Sequence, residues 1–134
     1  MKGDFTICKS ANNDVYAFGY NDSGQLGIGN KQNQNRPVKC EYWPGDIVDI
    51  KCGFSHSIIL TSTQEVFSCG NAEGKLRRVS GESCIPKKNS ILSEIIRIEC
   101  GFLYVMCIGI NNALFVFGDN QYGQLAVGDK VNRN

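Results

Sequence analysis

His56 is the chain's one histidine, so acid–base or metal chemistry near neutral pH would fall to it first. Cys52, His56, Cys84 and Cys100 would be the candidate zinc ligands. No Cys-x-x-Cys pair exists among the seven cysteines, and that spacing is what structural zinc sites use. Nucleophilic catalysis by a thiolate needs a base beside it. One histidine and several cysteines set in apolar runs single out no such pair, and no carboxylate pair or Ser-His-Asp arrangement stands out. Gly70-Asn71-Ala72-Glu73-Gly74-Lys75 has three residues between its glycines where a phosphate-binding loop has four, and Leu76 stands where a magnesium-binding Ser or Thr belongs. The reading is therefore that the chain is not an enzyme and holds no metal or cofactor. Asn21-Asp22-Ser23 is formally a glycosylation acceptor, yet the same residues suit a turn.

The stretch 75–88 keeps its own composition. Lys75, Arg77, Arg78, Lys87 and Lys88 oppose only Glu82, which makes it a candidate partner-binding loop. A solvated loop, a contact to an acidic protein surface and a contact to nucleic-acid phosphates are the open readings. The interleaved aromatics that single-strand binders use for base stacking are absent there, which disfavours direct nucleic-acid binding without closing it.

Composition bounds what must position these residues. Apolar residues make up 42% of the 134 and charged residues 20%, with a formal charge of +1, the balance of an ordinary globular domain and not of a dedicated nucleic-acid or membrane-surface protein. Fifteen Gly against three Pro imply many tight turns and hence many short strands. No stretch approaches the roughly 20 apolar residues that span a bilayer, and no apolar run follows Met1 to serve as a signal peptide. The expected setting is the cytosol or nucleus, where the cysteines would be buried thiols; Cys8, Cys52, Cys100 and Cys107 lie in apolar, strand-like runs.

The elements repeat. Val15-Tyr16-Ala17-Phe18-Gly19, Val66-Phe67-Ser68-Cys69-Gly70 and Leu114-Phe115-Val116-Phe117-Gly118 superimpose, their terminal glycines 51 and 48 residues apart. Each is followed by a Gly-rich turn, complete as Asn21-Asp22-Ser23-Gly24-Gln25-Leu26-Gly27. Gly24, Gly27 and Gly29, which might suggest a nucleotide loop, recur as Gly123 and Gly128 and so belong to this turn. A second block, Ile47-Val48-Asp49-Ile50-Lys51-Cys52-Gly53-Phe54, matches Ile95 to Phe102 at a displacement of 48. Its period-2 alternation predicts strands with Val48, Ile50 and Cys52, and likewise Ile96, Ile98 and Cys100, on one side. Asp49, Lys51, Arg97 and Glu99 would face the other. In the middle copy strands are predicted near 47–52, 56–62 and 65–70, then a long connection through 71–94.

A period near 50 made only of short strands points to blades or an all-β solenoid; the expected fold class is all-β, a partial β-propeller of antiparallel short-strand blades, with repeat units near 1–46, 47–94 and 95–134. Asn21 to Gly27, Asn120 to Leu125 and Gly53-Phe54-Ser55-His56 resemble the regulator of chromosome condensation repeat over nearly the whole chain. Departures are Ala126 for a turn Gly, Tyr104 for the His, and Phe18, Cys69 and Phe117 where the family has Trp. The place of His56 in this repeated element suggests a side chain bonded to neighbouring backbone.

The resemblance implies a seven-bladed ring, and about 2.7 units of about 50 residues do not close one. The chain is expected to be a fragment of a longer product, or else to associate to cover its edges. The resemblance also implies a protein-interaction propeller, with guanine-nucleotide exchange on a Ran-like small GTPase or chromatin association as its role. A partner-recruiting segment of a multidomain protein, such as a HECT-type ubiquitin ligase, is the alternative.

Overall fold

The computed structural model describes residues 4–71, 82–118, 121–123, 126 and 128. Among them are ten strands: β1 (Phe5–Lys9), β2 (Val15–Gly19), β3 (Gln34–Lys39), β4 (Ile47–Cys52), β5 (His56–Thr61), β6 (Val66–Asn71), β7 (Glu82–Lys88), β8 (Ile95–Cys100), β9 (Tyr104–Gly109) and β10 (Leu114–Gly118). They form three antiparallel sheets in the orders β1-β2-β3, β4-β5-β6-β7 and β8-β9-β10. Each sheet is one propeller blade. No helix among the described residues is long and apolar enough to cross a membrane.

The same hairpin turn joins the second and third strands of the repeat in every blade. Asn13, Gln64 and Asn112 each take a left-handed φ near 65°. Their N–H groups donate to Ser10, Thr61 and Gly109 at 3.0–3.1 Å. A left-handed residue of this kind closes a short hairpin in register with the strand twist.

Two expectations from the sequence are corrected. The first concerns β4 and β8, where register shifts between Ile47 and Asp49 and between Ile95 and Arg97. Each shift is a bulge that adds a residue and turns the alternation over. Val48 and Ile96 are therefore 57% and 48% exposed, and Ile47 and Ile95 take the buried places expected of them. Ile47→Lys should cost about 3 kcal/mol or more through an unpaired buried charge, and Val48→Lys less than about 0.5 kcal/mol. Urea unfolding of both variants checks this; equal losses would contradict the bulged register.

The second correction concerns the long connection. Residues 82–88 are not loop but the outermost strand β7, paired to β6 from Asn71↔Glu82 to Phe67↔Lys88. Neither alternation nor an apolar run marks Glu-Ser-Cys-Ile-Pro-Lys-Lys as strand. An outermost strand needs no N–H for a further ladder on its outer side, which is how Pro86 is tolerated.

Blades stack face to face through two apolar layers. Phe5, Val15, Ala17, Leu26 and Trp43 of the first blade meet Ile47, Ile59 and Cys69 of the second. Ile58, Leu60 and Val66, on the second blade's other face, meet Ile95, Ile98, Val105, Cys107 and Phe117 of the third. Fully buried Ile or Phe side chains contribute about 1.5–3 kcal/mol each, so these layers carry most of the folding energy.

Polar contacts fix the stacking. Asn21 is wholly buried: its Nδ2 donates to the Asn30 and Gln32 carbonyls at 2.9 and 3.0 Å, and its Oδ1 accepts from Leu26 N–H at 3.0 Å. The Asn-x-x-Gly-Gln-Leu-Gly turn so shaped reaches across to the second blade. Ser57 Oγ donates to the Gln25 carbonyl at 2.7 Å, and Gly29 N–H donates to the Cys84 carbonyl at 2.8 Å. The motif is an inter-blade clasp. Burial of Asn21 closes it to glycosylation, and the positive φ of Gly24, Gly27 and Gly29 accounts for those glycines as turn residues.

Candidate functional site

Antiparallel order puts two kinds of connection at one end of the blades: those after the inner strands β4 and β8, and those after β2 and β6. The inner connections are tight because Gly53 lies under the ring of His56, and a Cβ there would coincide with that ring. Gly101 and Tyr104 repeat the arrangement, which explains how Tyr replaces His without loss of the turn. Gly53 N–H donates to the His56 carbonyl at 2.9 Å and Gly101 N–H to the Tyr104 carbonyl at 2.8 Å. His56 is wholly buried at this turn.

These turns push the intervening phenylalanines outward. Phe54 and Phe102 are 44% and 52% exposed, with ring centroids 4.4 Å apart and planes inclined by 32°. Phe54 N–H donates to the Phe102 carbonyl at 2.9 Å, so one backbone bond locks the pair across two blades. Tyr20, 42% exposed, leaves the equivalent end of the first blade, its N–H bonded to the Asp4 carbonyl at 2.8 Å. Its hydroxyl donates to Asp22 at 2.7 Å. That bond, with the charge of Asp22, raises the phenol's pKa and keeps it a neutral hydrogen-bonding group. Paired, rigid, solvent-facing aromatics are the usual anchors of protein interfaces. The repeated Gly-Phe at 53–54 and 101–102 was the sequence signal for them, hidden because a strand-ending Gly-Phe also reads as scaffold.

The structure describes only part of the basic stretch. Lys75, Arg77 and Arg78 lie outside the described residues. Lys87 and Lys88 sit at the far end of β7, five to six residues beyond Glu82, or about 17–20 Å along a strand. Lys88 Nζ is engaged by Glu65 at 2.8 Å; Lys87 has no ion pair among the described residues.

Near the propeller axis, Phe5, Thr6, Ile7, Ile50, Lys51, Cys52, Glu99 and Cys100 line a groove of about 320 Å³. Lys51 Nζ spans it, 3.5 Å from Glu99 and 3.8 Å from Asp49. Among the described residues no three His, Cys, Asp or Glu side chains gather to hold a metal ion.

All seven cysteines are free thiols. Cys40, Cys69, Cys100 and Cys107 are buried, whereas Cys8 is exposed on β1, against the expectation of a buried thiol, because β1 presents that end of its edge to solvent. Burial pushes the Cys40 and Cys107 thiols up to about 12 and raises Cys52, so none of these three is an activated nucleophile. Native chain treated with iodoacetamide near pH 8 should alkylate at Cys8 and spare Cys40 and Cys107, read by peptide mass mapping. A thiol whose pKa is raised on folding stabilises the fold below its unfolded pKa, about 8.5. Stability should therefore hold at neutral pH and fall between about pH 9 and 12.

The blades and their clasps define the class of protein as a β-propeller segment. Residues 12–60 match the Regulator of chromosome condensation (RCC1) repeat, and the chain is a run of RCC1 repeats. It is 27% identical over 134 residues to the ultraviolet-B receptor UVR8 of Arabidopsis thaliana, covering 96% of this chain and 30% of that protein. It is 31% identical over 116 residues to the RCC2 homolog of Xenopus laevis, covering 83% and 23%, and 29% identical over 133 residues to the E3 ubiquitin-protein ligase HERC2 of Mus musculus, covering 94% and 3%. Two solved structures share the fold: human WBSCR16, with a TM-score of 0.82 at 19% identity, and Prp20p of Saccharomyces cerevisiae, with 0.84 at 17%. Each match covers 100% of this chain and 35% of the solved one. The chain thus spans between 3% and 35% of the length of these proteins.

Proposed function

We propose that this chain is the interaction segment of a guanine-nucleotide exchange factor-like protein that acts on a Ran-like small GTPase, with a chromatin protein as a second class of partner. The observation that carries the reading is the exposed Phe54–Phe102 pair, held rigid across two blades. Prp20p, of the same fold, was described together with its binding to Gsp1p and histones, and a further structure holds yeast RCC1 (Prp20) with Kap60. Exchange requires no covalent chemistry: a rigid surface that binds the nucleotide-free GTPase better than the loaded form lowers nucleotide affinity by linkage. The reading needs no cofactor and no catalytic side chain, and it fits a protein of the cytoplasm or nucleus.

The test is release of a fluorescent guanine nucleotide from a panel of small GTPases, with the intact polypeptide that carries this chain. Acceleration with a Ran-type member is expected; no acceleration with any member would overturn exchange. The similarity to HERC2 and to the kinase Nek8 of Danio rerio, 31% identical over 133 residues, favours a second reading as a recruiting segment of a multidomain protein. A ligase or kinase domain on the same endogenous polypeptide, found by mass spectrometry, would decide for it.

A further inference from the structure

The first blade carries a groove of about 590 Å³ lined by Asp4, Gly19, Tyr20, Asn33, Gln34 and Asn35. The chain turns into it at Gly19, which ends β2 at a φ of +106°, a conformation open to Gly without strain. Tyr20 is then held beside Asp4 by its N–H bond to that carbonyl. The start of β3 forms the other side, with Gln34 paired to Gly19. Asn33 fixes that side to the neighbouring turn, its Oδ1 accepting the Asn21 N–H at 2.7 Å. The groove lies at the same end of the blades as the Phe54–Phe102 pair.

Its unused polar groups accept and carry negative charge. The Tyr20 hydroxyl donates to Asp22 Oδ2, and the other Asp22 oxygen makes no bond among the described residues. Gln34 Nε2 donates to the Gln32 carbonyl at 3.3 Å, which leaves its Oε1 as an acceptor. Asp4 and Asp22 have no ion pair among the described residues. No Lys or Arg lines the groove. The bond and charge of Asp22, and more weakly the charge of Asp4, raise the Tyr20 pKa, so both carboxylates act on the ring.

An aromatic side chain flanked by two carboxylates and an amide oxygen suits a flat cation rich in donors. A guanidinium stacks on an aromatic face and forks onto a carboxylate, whereas an ammonium is a compact, strongly hydrated point charge. We infer that this groove takes an arginine side chain of a protein partner, stacked on Tyr20 and donating to Asp22, Asp4 and Gln34 Oε1. The site is separate from the exchange reading, which rests on Phe54 and Phe102, and either can fail without the other.

The test is a titration of the full 134-residue chain, labelled with nitrogen-15, at low salt and under reducing conditions. The probes are acetyl-Gly-Arg-Gly-amide and its counterparts with Lys or with citrulline, the neutral isostere of Arg. The Arg peptide should shift the Tyr20 backbone amide and the side-chain amides of Asn33, Gln34 and Asn35. It should bind about ten-fold tighter than the citrulline peptide and about three-fold tighter than the Lys peptide, the scale of one exposed cation–π contact and one or two exposed ion pairs. Tyr20, Asp4 and Asp22 are exposed, so Tyr20→Leu, and Asp4→Asn with Asp22→Asn, should keep the native amide spectrum. Each should weaken the Arg peptide at least about three-fold. Equal binding of the Arg peptide and either counterpart, no shift, or unchanged affinity in both variants would overturn the inference. So would shifts gathered at other carboxylates, such as Asp46 and Glu94.

Discussion

Gly70→Ala should lower the stability of the chain by about 3–4 kcal/mol, seen as a fall of roughly 10–15 °C in melting temperature. Gly70 ends β6 at a φ of +84°, where a Cβ alone costs about 1–2 kcal/mol. An added Cβ would also press on the Ser55 carbonyl and stand 2.9 Å from the Gln25 Cα. Both neighbours are backbone, and both are held, Ser55 by the Asn71 N–H at 2.8 Å and Gln25 by Ser57 and the clasp. Relief would have to shift backbone, a further cost of about 1–3 kcal/mol. Gly45→Ala, with nothing within 4 Å of the added atom, is the control and should stay within about 0.5 kcal/mol. Calorimetry of the two variants decides it; a Gly70→Ala protein as stable as the control would remove the physical basis of the strand-ending glycine.

The second large effect is on binding. Phe54→Ala with Phe102→Ala should weaken partner binding by about 2–4 kcal/mol, or roughly 30- to 1,000-fold, as truncation of central aromatic anchors does. Folding should change little, because both rings are near half exposed and the inner turns are held by Gly53, Gly101 and their backbone bonds. His56→Ala makes the opposite prediction, since a buried ring packed on Gly53 is lost from the core. It should destabilise the fold.

The contrast between these residues shows what could be read beforehand. The recurrence of Gly19, Gly70 and Gly118, and of the 47–54 block at 95–102, gave the blades, because a repeat must bury the same face each time. The inner-strand alternation was misjudged at Val48 and Ile96, since a bulge adds one residue without leaving a compositional mark. β7 was missed because an outer edge strand needs neither alternation nor an apolar run, and a strand containing Pro86 reads as a loop. His56 drew attention as the lone titratable candidate, yet its role followed from Gly53, three residues before it. The aromatic rim was the hardest to see. Phe54 and Phe102 differ from the buried Phe5 or Phe117 only in where the turn aims them, and that is a property of the backbone.

The most direct test of an aromatic interaction face is a calorimetric titration of the nucleotide-free Ran-type GTPase into the intact polypeptide that carries this chain. It should be run with and without the Phe54→Ala and Phe102→Ala changes. The expected result is saturable binding that the double change weakens at least about 30-fold while the melting temperature is kept. Equal binding by both proteins, at equal stability, would contradict the account.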